Sequence, residues 1–257
     1  GIQADIKAVQ ANGVFAATVL TAITAQNTKE VTAAKELSVK MIKAQFEAVW
    51  LDIAVHAVKT GMLSSVPVIE AVAGLLERHV KDVPIVVDPV MISKSGFSLL
   101  QDDAIEVLKD RIVPLATLLT PNAHEASRLS GLTVRDVESA REAAGRIYDL
   151  GCGAVLVKGG HLEREDQAVD VLFDGESVHT FSVPRIDTPN THGTGCTYAS
   201  AVAANLAKGY SLVKSVERAK RYVTAAIEHA LRIGSGHGPT GHFFYLHGIG
   251  RFPIEDV

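Results

Sequence analysis

The sequence predicts a three-layer α/β protein: one mainly parallel sheet with helices on both faces and an antiparallel hairpin at one edge. Three observations point to it. Short apolar segments alternate with longer amphipathic ones along most of the chain, the pattern of strand–helix–strand units. Several short segments, such as Ile85-Val86-Val87, are apolar throughout, as strands covered on both faces must be. One late pair of strand-like segments flanks Gly175 with no helix between them, which is a hairpin signal.

Taken in order, residues 2–12 read as a helix closed by Gly13. Residues 14–24, rich in Val, Ile and Thr, read as a buried strand. Residues 38–53 carry Val39, Ile42, Phe46, Val49 and Trp50 on one helical stripe. Residues 56–59 form a short strand before Gly61. A helix over 66–80 has Ser65 as its cap and Pro67 in its first turn. Residues 85–88 are a strand stopped by Pro89. A helix over 102–112, a strand over 116–120 and a helix over 122–130 follow, then a helix over 134–150 and a strand over 154–158. The hairpin uses 169–174 and 177–183, and helices over 195–207 and 211–233 complete the pattern. There is no internal repeat and no Gly/Ser linker, so residues 1–257 are expected to form one domain.

Composition excludes several classes. The chain has 257 residues, 47% hydrophobic and 21% charged, so it has apolar surface enough to fold and is no disordered polymer. Its 25 Lys+Arg against 29 Asp+Glu leave no basic stripe, and 5% aromatics make a poor base-stacking platform, so no nucleic-acid partner is expected. Cys152 and Cys196 match neither a disulfide framework nor a zinc pattern, which fits a reducing compartment. No apolar run is long enough to cross a bilayer, and the first residues lack a basic, apolar leader. These features give the expectation of a cytoplasmic protein with no membrane partner.

In such sheets ligands bind beyond the carboxyl ends of the strands. The richest of those positions is Asn190-Thr191-His192-Gly193-Thr194-Gly195-Cys196-Thr197, leading into a helix. Two glycines at a helix start let backbone N–H groups converge with the helix dipole on an anion; the same residues also read as a glycine loop with Thr194 as a cap. Cys196 is either a thiol acidified by the helix N-terminus, able to accept a proton, or a small packing residue. Asn122-Ala123-His124-Glu125 is either a capping box or a carboxylate beside phosphates and Mg2+. Asp88 ends a strand and is a second candidate metal carboxylate or a turn former. Lys158-Gly159-Gly160-His161 offers a cation and close backbone approach to a phosphate. Lys220 is a weaker candidate on the last helix. Gln26 can clamp the edge of a heteroaromatic base, with Met62 against its face. His237, His242 and His247 read as tail residues and not as a metal site.

Together, seven stretches running in order along the chain resemble the ribokinase-like superfamily and, within it, the hydroxymethylpyrimidine/phosphomethylpyrimidine kinases of thiamine biosynthesis. They are GIQAD from Gly1, TAITAQNT from Thr21, KTGML from Lys59, VDPVMISKSG from Val87, LTPNAHE from Leu119, VKGGHL from Val157 and NTHGTGCT from Asn190. The resemblance implies a ribokinase-like three-layer sandwich. It also implies ATP- and Mg2+-dependent phosphorylation of 4-amino-5-hydroxymethyl-2-methylpyrimidine, and then of its monophosphate. It implies Gly193, Thr194 and Gly195 as the anion hole, Cys196 in place of the usual Asp base, and Gln26, Met62 and Val90 around the pyrimidine. Asn122, Lys158 and Lys220 then fall on the nucleotide side, Asp88 and Glu125 on the metal. In the family an apolar strand and a Gly-rich turn come before the segment matching Gly1, and a preceding segment of that kind is expected here. A homodimer is implied by the resemblance alone. The alternatives are a pyridoxal or bifunctional kinase and, from another class, a non-catalytic pyrimidine-binding module. Residues 91–100, containing Lys94, are expected to close over the site as a lid.

Overall fold

The computed structural model describes residues 1–92, 96, 100–101, 103–160, 162 and 166–248. Its centre is a six-stranded sheet in the order β3-β4-β5-β6-β7-β8. The strands are β3 (Val58–Thr60), β4 (Ile85–Val87), β5 (Leu118–Leu119), β6 (Val155–Val157), β7 (Gln167–Phe173) and β8 (Val178–Pro184). β3 to β6 pair in parallel, and β7 and β8 are antiparallel additions that end the sheet. Mainly parallel pairing with an antiparallel edge hairpin is therefore what the structure has.

Side chains that alternate along these strands feed two separate cores. Ile85, Val87, Leu119, Val155, Val157 and Val171 pack with one layer of helices. That layer holds α2 (Val39–Trp50), α3 (Val66–His79), α4 (Ala104–Arg111), α5 (Ala123–Ser130) and α6 (Val137–Tyr148). Val86, Leu118, Leu156 and Leu172 point the other way, into α7 (Thr194–Ala207) and α8 (Leu212–Glu228). Both faces are dry, which is why these strands read as unbroken apolar runs. α1 (Ile2–Ala11) lies against α7.

The helix ends follow local chemistry. Ser38, Asn122, Asp136 and Ser211 each accept a backbone N–H bond as N-caps. Gly131 closes α5 with φ 73°, a left-handed value that glycine adopts without strain.

Two expectations need correction. Residues 14–24 do not form a buried strand: the strand is β1 (Ala22–Gln26), paired antiparallel with β2 (Val31–Glu36) in a separate two-stranded sheet. Its hydrogen bonds lie inside this hairpin, which is largely exposed and which the sequence reading missed because Thr32-Ala33-Ala34-Lys35-Glu36 has no apolar face. The last helix stops at Glu228 rather than at 233, and residues 229–242 fold back along the molecule.

Candidate functional site

Strand ends and the start of α7 meet at one cavity of about 2140 Å³, lined by Gln26, Met62, Asp88, Val90, Asn122, Glu125, Lys158, Lys220 and residues 193–196 among others. Every site residue expected from the sequence thus borders one space. His161 and Ser93-Lys94-Ser95 of the expected lid lie outside the described residues.

The cup is built by Gly193, whose φ of 81° puts the N-cap of α7 in the left-handed region. A turn of this hand brings the chain into the helix with its first amides facing the cavity. Thr194 does not cap the helix through its side chain; its hydroxyl donates to Thr191 O at 2.8 Å. Thr194 N and Thr197 N bond to Thr191 O and Gly193 O. The N–H groups of Gly195 and Cys196 between them have no backbone acceptor among the described residues. Two such amides at the positive end of a 14-residue helix have the chemistry to receive an anion. A β-carbon on Gly195 would sit 3.3 Å from Lys158 Nζ and 3.7 Å from Asp88 Oδ2, so glycine keeps the space between cup and lysine open.

Lys158 leaves β6 and reaches Asp88, which ends β4, at 2.7 Å. Both side chains are buried, at 12% and 3% exposure, so each cancels charge that would otherwise be stranded. Burial alone pushes the Asp88 carboxyl up, but Lys158 and Lys59 outweigh it and hold it below the usual carboxylate range. Thr120 adds a hydroxyl donor to Asp88 Oδ1 at 3.4 Å.

Asn122 and Glu125 form a complete capping box: Asn122 Oδ1 accepts from Glu125 N at 2.9 Å, and Glu125 Oε2 accepts from Asn122 N at 2.8 Å. The capping reading of this motif is therefore correct. It does not account for the site's electrostatics, because Glu125 is buried beside Asp88 and its carboxyl is pushed up to about 7. Burial is the main cause; Asp88 adds to it and Lys158 opposes it. Such a group gains from any cation brought near. Among the described residues no three acidic, Cys or His side chains gather into a protein-only metal cage. Two carboxylates at a phosphate slot suit an ion held largely by phosphate oxygens and water, as Mg2+ is.

Lys220 does not point freely into the cavity. It is ion-paired with buried Asp170 at 2.7 Å and donates to Ala168 O at 3.1 Å. Asp170 Oδ1 in turn accepts the N–H of Gly159 at 2.8 Å, fixing the turn after Lys158. A β-carbon on Gly159 would overlap Val169 O at 1.6 Å, so only glycine allows this approach.

Gln26 ends β1 on the exposed two-stranded sheet, where Thr24 Oγ1 lies 3.4 Å from its Oε1. The side chain is exposed and stands at the cavity rim. Met62 and Val90 are half-buried in the wall.

Two residues escaped the sequence reading. Lys59, in the middle of β3, is ion-paired with Asp5 of α1 at 2.8 Å, and Ser200 of α7 donates to the same carboxylate oxygen at 2.7 Å. Both lie in stretches noted for their resemblance, KTGML and GIQAD; only their order beside Gly61 and Gly1 signalled them. The tail also reaches the cup: buried His242 places Nε2 2.9 Å from Thr197 Oγ1, and burial pushes its imidazole down to about 4.

Comparison with known proteins gives the family. The family model of phosphomethylpyrimidine kinase matches residues 1–241. The hydroxymethylpyrimidine/phosphomethylpyrimidine kinase of Streptomyces coelicolor is 48% identical, over 96% of this chain and 90% of its own. A bifunctional thiamine biosynthesis protein of Geobacter sulfurreducens is 50% identical over 94% of this chain, which spans 49% of that longer protein. Among solved structures, a phosphomethylpyrimidine kinase from Clostridium difficile superposes with a TM-score of 0.78 at 42% identity, covering 88% of this chain and 93% of that one. An ADP complex of Bacillus subtilis pyridoxal kinase gives 0.86 at 38% identity, covering 94% and 91%.

Proposed function

The chain belongs to the phosphomethylpyrimidine kinase family, and from that premise we propose that it transfers the γ-phosphate of ATP to hydroxymethylpyrimidine and then to the resulting phosphomethylpyrimidine. The observation that carries the reading is the joint placement of the free amides of Gly195 and Cys196, the Lys158–Asp88 pair and an accessible thiol on one cavity. A pyrimidine-binding module needs the ring pocket but none of the phosphate machinery.

In this reading Gln26 reads the edge of the ring while Met62 and Val90 flank it. Cys196 Sγ faces the acceptor hydroxyl and, as the thiolate, takes its proton while the oxygen bonds to the γ-phosphorus and the bond to the β-phosphate oxygen breaks. Gly193, Thr194 and Gly195 shape the cup that meets the charge on the moving group, with Lys158 on its other side. Asn122 holds the start of α5 at the nucleotide end. Lys220 supports that end through Asp170 and Gly159. Asp88 and Glu125 would hold Mg2+, which supplies neutralisation of the phosphate oxygens when bound.

A second acceptor has a specific observation in its favour. Pyridoxal kinases from Bacillus subtilis and Staphylococcus aureus share the fold, at 38% and 32% identity, and pyridoxal also presents a hydroxymethyl group on a heteroaromatic ring. The exposed two-stranded sheet, too small to be stable alone, supports a homodimer in which a second copy covers it. No described helix is long and apolar enough to cross a membrane.

The deciding experiment measures ADP release with hydroxymethylpyrimidine, phosphomethylpyrimidine and pyridoxal in turn, with 31P NMR of the products. The proposal expects turnover with the first two, giving a monophosphate and a diphosphate. Turnover with pyridoxal alone would transfer the assignment to that ring, and none with any of the three would refute kinase activity.

A further inference from the structure

We propose that Lys59 reads charge on the acceptor: its ammonium pairs with the phosphate of an acceptor already phosphorylated once, and so serves the second transfer more than the first. The inference rests on the two-step reading above.

Two buried lysines bracket the cup. Lys158 comes from the nucleotide end, beside Asn122 and Glu125, and is engaged with Asp88. Lys59 comes from the opposite direction, on β3, just ahead of Gly61 and Met62 in the ring wall. Its side chain is only 8% exposed, yet Asp5 is its one hydrogen-bond partner among the described residues. An ammonium has three donors, so two remain. A β-carbon on Gly61 would lie 3.1 Å from Lys59 Nζ, and its absence leaves the ammonium open toward the cavity that both residues line. Asp5 is itself anchored by Ser200, so the cation stands on a fixed post between α1, β3 and α7. Burial alone would favour the neutral amine, but Cys196, Asp5 and Asp88 outweigh it and keep the group charged.

The charge requirement of the two transfers differs. A hydroxymethyl acceptor is neutral, and the cup with Lys158 meets the donor's charge. A phosphomethyl acceptor brings a second anion toward the first, and their repulsion in a water-poor cavity needs a cation on the acceptor side. Lys158 serves the donor side of the cup, and Lys220 is held by Asp170 and Ala168 O. Lys59 is the buried cation placed for the task.

The test compares wild type, Lys59→Met and Lys59→Arg as the full chain, with two readouts. Calorimetry without nucleotide measures phosphomethylpyrimidine affinity; ADP release measures kcat/KM with each acceptor. The expected result for Lys59→Met is about 10- to 100-fold weaker binding of the monophosphate, a loss of kcat/KM several-fold larger for the monophosphate than for the alcohol, and partial recovery in Lys59→Arg. Unchanged monophosphate affinity, or equal losses with both acceptors, overturns the proposal. Because methionine leaves half-buried Asp5 without its cation, Asp5→Asn/Lys59→Met is measured alongside and must repeat the selectivity. A wild type that turns over neither acceptor defeats the proposed function, whereas the calorimetric comparison still decides Lys59.

Discussion

Replacing Gly195 by alanine separates stability from chemistry, because the structure assigns the two effects opposite signs. Gly195 is the second residue of α7 and its φ is not positive, so alanine adopts its backbone conformation without strain. Glycine in a helix costs up to about 1 kcal/mol relative to alanine, and near a helix end about half of that is expected. The added methyl meets the flexible tip of Lys158 at 3.3 Å and Asp88 Oδ2 at 3.7 Å, contacts that a small rotation of the lysine relieves. The folded protein should therefore be unchanged or more stable by roughly 0.5 kcal/mol, which moves Tm upward by about 1–2 °C in a chain of this size. The same methyl occupies the slot between the cup amides and the lysine. The amide itself stays, but a methyl that keeps phosphate from reaching it should cost about as much as losing that donor, about 10²–10³ in kcat. Differential scanning calorimetry and a coupled ADP assay on one preparation give both numbers. A variant that is stable and fully active would show that no phosphate passes between Gly195 and Lys158, and one that is strongly destabilised would show that the slot is packed core.

Cys196→Ala should lower kcat by about 10²–10⁴ with ATP affinity retained; near-normal turnover, read against nucleotide binding by fluorescence, would remove the thiol from the chemistry. Gln26→Leu should raise KM for the pyrimidine by about 5- to 100-fold and leave that for ATP nearly unchanged, and parallel changes in both would place Gln26 outside ring recognition. Glu125→Gln makes a pH prediction. With its carboxyl raised to about 7, the folded state keeps a proton that the unfolded chain has released, so wild-type stability falls as pH rises from about 4.5 to 7. Urea titrations of Glu125→Gln should lack most of that slope, and its Mg2+ requirement should rise; a slope identical to wild type would mean that Glu125 ionises normally.

Legibility in the sequence followed how local each feature's cause is. The parallel strands were readable because burial on both faces writes apolar residues at every position, as in Ile85-Val86-Val87. The cap at Asn122 was readable because the acceptor lies three residues from its donor, whereas Ser65 stands at the start of α3 as read but makes no side-chain cap bond. β2 was not, because Thr32 to Glu36 pair only with β1 and bury no face. The false strand over 14–24 has the converse origin. Val14, Val19 and Leu20 carry the composition of a strand, but composition does not specify a neighbour, and the Leu20 peptide is satisfied by the side-chain amide of Gln45 at 3.0 Å in both directions.

The same distinction divides the site. Cup residues signalled themselves, since a left-handed Gly193 and a Cβ-free Gly195 are demands of local backbone and near space. The ion pairs did not. Lys59 and Asp5 are 54 positions apart, Lys158 and Asp88 are 70, and Lys220 meets Asp170 only because α8 crosses beneath β7. Lys158 and Asp88 were each readable as candidates, but nothing in the sequence paired them, and Lys59, Asp5 and Asp170 drew no reading of their own. Their meaning comes from burial: a charge nine-tenths removed from water must have a partner. Three ion pairs line one cavity, each with at least one side chain nine-tenths buried. Isosteric neutral pairs at these positions are expected to fold at least as well; thermal melts that hold while ADP release falls would tie the charges to the chemistry, and melts that collapse would make them structural.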